Sequence, residues 1–63
     1  MCMPTVWIKN NSKEEQIFAN TATLRIDDNN IVLSSLFEEE KVIKAVIEKI
    51  DFINSRVILI KTN

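Results

Sequence analysis

A single cysteine in a chain of 63 residues excludes the internal disulfide that commonly holds a domain of this size together. Near this length a globular chain buries only about 60% of the surface its unfolded form exposes, so it usually leans on a disulfide, a metal or a second subunit. With the first of these gone, a metal, a partner chain, or both remain. The whole length, 1–63, makes one small domain. Ten Ile and five Val bias it towards strands, and 46% hydrophobic residues are enough for a packed core rather than a disordered chain.

The apolar residues fall into short runs punctuated by Asn, Asp and Ser. Thr5–Lys9 reads as a first strand ended by Asn10-Asn11-Ser12, and Glu15–Ala19 as a second. Ala22, Leu24 and Ile26 alternate with Thr23, Arg25 and Asp27, the period of a half-buried strand. After the turn at Asp28-Asn29-Asn30, Ile31–Leu36 returns to form a hairpin. Val42, Ile43, Val46, Ile47 and Ile50 fit one face of a long helix, and also fit a helical turn followed by a strand over 45–51. Phe52–Ser55 then turns the chain into a last strand, Arg56–Lys61. The chain has no glycine, so its turns must place other residues at positive φ; Asn10, Asn11, Asn29, Asn30 and Asn54 are the candidates.

Several chemistries are excluded. Without histidine there is no Ser-His-Asp triad, no Cys-His pair and no imidazole metal ligand, and without glycine there is no Gly-rich phosphate loop. No catalytic machinery is expected. Three consecutive acids, Glu38-Glu39-Glu40, cannot all converge on one cation and read as a solvated turn or helix start. Trp7, between Val6 and Ile8, reads as core. Eight basic against nine acidic residues give a net charge of −1, and phosphate-contacting domains normally carry a basic surplus. The longest apolar run, Val57–Ile60, is four residues, far short of a transmembrane helix. No basic segment followed by an apolar stretch opens the chain, so a cytoplasmic setting with a reduced thiol is expected.

Cys2 is the distinctive residue. Cysteines are often buried, but a chain end is where burial is least expected, and an exposed thiol exists for its reactivity. With Met1 removed, the Cys2 amine and thiolate form a five-membered chelate; with Met1 retained, its amine, the Cys2 amide nitrogen and the thiolate act together. Such nitrogen and sulfur donors suit square-planar Ni(II) or Cu(II), and thiolate tends to reduce Cu(II). Each chain offers one thiolate, so a two-fold axis between two Cys2 residues would place one ion per homodimer and also relieve the shortage of core. Pro4 biases Met3 towards an extended conformation, holding this terminus off the first strand.

The Met-Cys-Met start running into a strand, Leu36-Phe37-Glu38-Glu39, and Ile50-Asp51-Phe52 followed by a turn and Val57-Ile58-Leu59-Ile60 together resemble the CooT family along nearly the whole chain. The resemblance implies a small β-barrel of the SH3/Sm-like or HypC-like kind, with about five to seven short strands and one short helical turn near 37–42, followed by a strand rather than one long helix. It also implies a homodimer binding Ni(II), one per dimer, through Cys2, with main-chain nitrogen of Met1 or Cys2 completing the set. The role implied is supply or storage of nickel for a client such as carbon monoxide dehydrogenase. The glycines that family members carry at hairpins are absent here. HypC-type hydrogenase chaperones also begin Met-Cys and form small barrels, but their Pro-Gly element is missing, which makes them the weaker match. The alternative from another class is a small-barrel module that binds RNA or a protein through an edge or groove, with Cys2 incidental.

Overall fold

A computed structural model describes residues 3–36 and 40–62. Its described residues form six strands: β1 Thr5–Asn10, β2 Lys13–Phe18, β3 Thr21–Asp27, β4 Asn30–Ser35, β5 Lys41–Asp51 and β6 Arg56–Lys61. They make one sheet in the order β2-β1-β6-β5-β4-β3. Only β1 and β6 run parallel; every other neighbour is antiparallel. The first and last strands, β1 and β6, thus lie side by side near the middle of the sheet.

One sheet of this size can enclose a core only by curling over its own inner face. Val6, Phe18, Ile31, Leu33, Ala45, Val57 and Leu59 meet there as a buried cluster, with Ile8, Ile17, Leu24, Ile43 and Ile47 packed around it. The curl has identifiable sources. One strand gains an unpaired residue at Ile17, at Ala22 and at Glu48, and each such irregularity sharpens the local twist. Strand β5 is shared between two halves: 41–44 pairs with β4, and 45–51 pairs with β6.

The sheet does not close, so the expected barrel is corrected to an open, curled sheet whose edges are β2 and β3. Ala19-Asn20 joins these two edges, yet they do not pair. The outer half of β2 carries exposed Lys13, Glu14 and Glu15, and both edges carry an irregularity, devices that keep sheet edges from pairing.

The helical turn expected near 37–42 is corrected where it can be seen. Residues 37–39 lie outside the described residues, Glu40 has no regular structure, and Lys41 and Val42 already belong to β5. The region 42–51 is strand throughout. Ile43, Ala45 and Ile47 face the core while Val42 and Val46 are exposed on the other side, so two apolar faces superimposed gave the appearance of a helical period.

Turns without glycine place Asn11, Asn20, Asp28 and Ser55 at positive φ. Both tight hairpins put it at the first of two turn residues: Asn11 inside the Asn10–Lys13 pair and Asp28 inside the Asp27–Asn30 pair. Of the five asparagines expected at such positions only Asn11 is there; Asp28 and Ser55 take the place of their neighbours Asn29 and Asn54.

Trp7 is also corrected. It alternates away from Val6 and Ile8 onto the outer face of β1, pairs laterally with Ile58, and lies beneath the Arg56 guanidinium, 4.8 Å from the ring centroid. Arg56 reaches on to Glu14, with Nη2 2.8 Å from Oε1. The cation and the ring attract through the ring quadrupole, and the arginine stem shields the indole from water.

Candidate functional site

The residues expected to bind metal, Met1 and Cys2, lie outside the described residues. The frame from which they emerge is described. The Thr5 amide donates to the Ser55 carbonyl at 2.9 Å, and the Pro4 carbonyl accepts from the Thr21 amide at 3.1 Å. Two elements distant in sequence, the β5–β6 turn and the start of β3, therefore fix the chain at Pro4–Thr5.

That turn is held by its own carboxylate. Asp51 Oδ1 accepts from the amides of Ile53 at 3.0 Å and Asn54 at 3.1 Å, and Oδ2 accepts from Asn54 Nδ2 at 2.9 Å. The donors favour the ionised form, so the Asn54 side chain first, then the Asn54 and Ile53 amides and the charge of Lys49, hold the Asp51 carboxyl below its ordinary value of 3.8. A depressed pKa contributes stability above the unfolded value that is lost as pH falls through the folded one. Asp51→Ala should therefore destabilise the protein at neutral pH, with the gap to the native chain narrowing as pH falls below 4. Parallel urea titrations across that range check it; a pH-independent gap would mean that the carboxylate charge is irrelevant to the turn.

Beyond Asp51, Phe52 and Ile53 stand 86% and 94% exposed, and Met3 is 39% exposed at the neighbouring chain start. Apolar surface is thus gathered where the first residues leave the sheet. Among the described residues no three His, Cys, Asp or Glu side chains come together as a metal cage. Of the acidic run, Glu38 and Glu39 lie outside the described residues and Glu40 is exposed just before β5. No helix of the described residues is long and apolar enough to cross a membrane.

A second feature lies at the opposite end of β1 and escaped the reading of the sequence. The sheet splays open between the β1–β2 turn and the ends of β5 and β6, leaving a cleft of about 830 Å³ with Ile8, Ile17 and Ile43 on its floor and Lys13, Lys41 and Lys61 around it. Only tertiary structure brings lysines 13, 41 and 61 together, so no local motif announces them.

The described residues thus form an open all-β sheet with its amino-terminal segment tethered at Pro4–Thr5. The family model for the CO dehydrogenase accessory protein CooT matches residues 1–60, and the chain belongs to that family. The fold agrees: a crystal structure from Carboxydothermus hydrogenoformans assigned to CooT superposes with a TM-score of 0.88 at 27% identity, covering 98% of this chain and 100% of that one. No curated protein matches the chain at a significant level.

Proposed function

We propose that this protein binds nickel as a homodimer, holds one Ni(II) between two Cys2 thiolates with main-chain nitrogen of Met1 or Cys2, and supplies it to an apo-enzyme such as carbon monoxide dehydrogenase in the cytoplasm. The observation that carries this reading is the family match over residues 1–60, which includes Cys2 and brings with it the description of a CO dehydrogenase accessory protein. The donor chemistry supports it, because thiolate and deprotonated main-chain nitrogen favour a square-planar ion. An open terminal site also suits delivery, since an acceptor offering more ligands can capture an ion that its carrier holds with few.

The frame around Pro4 supports a dimer at the same place. A two-fold axis beside Cys2 would run close to Met3, Phe52 and Ile53 and would cover apolar surface that the lone chain leaves in water. Phe52→Ser combined with Ile53→Ser should weaken the dimer by roughly tenfold or more while leaving the strand signal in circular dichroism intact. Sedimentation equilibrium measures this, and an unchanged dimer would place the contact elsewhere. Anaerobic nickel titration of the native chain and of Cys2→Ala, with mass measured on the same samples, tests the proposal as a whole.

A further inference from the structure

We propose that the lysine-rimmed cleft at the open end of the sheet is a docking site for an acidic segment of a partner protein, an aliphatic side chain entering the floor and flanking carboxylates meeting the lysines.

The argument begins with where the charges point. Residues directly opposite in an antiparallel pair share a face. Lys41 pairs with buried Leu33, Lys61 with buried Ala45, and Lys13 with Asn10 in the same inward row as Ile8 and Val6. These cations therefore occupy the inner face, where the core would otherwise continue. Glu15, opposite Ile8, is the acid on that row; Glu14, opposite Lys9, also borders the cleft, but its carboxylate is engaged by Arg56. Among the described residues none of the three lysines has an ion-pair partner. Among the described residues lining the cleft, three lysines stand against Glu15 and Glu14, and with Glu14 engaged by Arg56 the balance there is positive in a chain whose net charge is −1.

The floor supplies the other half of the preference. Ile8, Ile17 and Ile43 are half-buried against the core and leave apolar surface at the bottom of the cleft. Small-molecule pockets enclose most of their ligand, whereas this cleft is open along one side, which fits a partner that brings its own cover. Single-stranded RNA is recognised by stacking on aromatic rings, and among the described residues no aromatic side chain lines the cleft. Trp7 is on the outer face under Arg56, and Phe52 projects at the other end of the sheet. An acidic, aliphatic peptide matches both the charge and the floor.

The test uses the full apo chain, so it is independent of nickel binding. Probes are a fluorescein-labelled peptide of alternating glutamate and leucine, the same peptide with glutamine for every glutamate, and poly(U) RNA, followed by anisotropy at low and high salt. The acidic peptide should bind, weaken with salt, and shift the methyl resonances of Ile8, Ile17 and Ile43. Lys41→Glu combined with Lys61→Glu should raise its Kd by roughly tenfold or more. Both side chains are exposed, and Lys41→Ala with Lys61→Ala provides a milder pair that should weaken binding in the same direction. The proposal is overturned if the acidic peptide does not bind, if the glutamine peptide binds equally, if charge reversal changes nothing, or if poly(U) is the ligand that depends on these lysines.

Discussion

Nickel added anaerobically to the native chain should saturate at about one ion per two chains, and Cys2→Ala should show no specific uptake. The effect is expected to be all or none, because each chain has one thiolate and no histidine to take its place. A thiolate-to-nickel absorption band should accompany uptake and be absent in the variant. Affinity should fall with pH, since the thiol must lose its proton to ligate. Circular dichroism should be the same for both proteins, because Cys2 precedes the first strand, which starts at Thr5. Two ions per dimer would show that each chain completes its own chelate, and undiminished uptake by Cys2→Ala would remove the thiolate from the site altogether. Either result would leave the family membership and the accessory-protein class standing, since those rest on the match over residues 1–60.

The strands were legible wherever one face was apolar and the other polar. Thr23, Arg25 and Asp27 alternate with Ala22, Leu24 and Ile26, and β3 runs from Thr21 to Asp27. The turn at 52–55 and the strand Arg56–Lys61 were readable because an apolar run restarts after Asn54-Ser55. Where both faces are apolar the period disappears. Val42 and Val46 on the outside of β5, with Ile43, Ala45 and Ile47 inside, are as compatible with a helix as with a strand until a neighbouring strand selects one. Trp7 was misplaced for the same reason: in Val6-Trp7-Ile8 the alternation does not say which residue turns outward, and Arg56, far along the chain, decides it.

Turn positions show a different limit. Composition required polar residues to stand in for glycine, and they do. Which member of a polar pair takes positive φ depends on register, and the Asp27–Asn30 pairing selects Asp28. At the last turn the Asp51 carboxylate engages the amides of Ile53 and Asn54, and Ser55 is then the residue with positive φ. For the candidate site, Cys2 stood out as the lone thiol beside a chain terminus, where reactivity is the expected reason for a cysteine, and it lies outside the described residues. The lysine cleft was invisible because lysines 13, 41 and 61 have no sequence relation until β2, β5 and β6 are folded beside one another.

Truncating the centre of the core should have the largest effect on stability. Leu59 is fully buried on β6 between Ile8 on one neighbouring strand and Ile47 on the other. Removing a buried leucine side chain costs about 2–5 kcal/mol, from lost transfer energy and the cavity left behind. At the usual stability per residue, a chain of this length holds roughly 3–9 kcal/mol in total. At mid-range values Leu59→Ala should therefore remove about half of the stability and raise the unfolded population markedly at 37 °C. The neighbouring Ile60→Ala is the control: its side chain points to the opposite face beside Val46 and is 38% exposed, so the loss should stay below about 1.5 kcal/mol. Urea denaturation of both variants at one fixed chain concentration measures the difference. A large gap between them locates the stabilising core on the inner face of the curled sheet. Equal losses would mean that the outer face around Val42, Val46 and Ile60 is covered in solution, and the effect of Ile60→Ala should then grow as the chain is diluted.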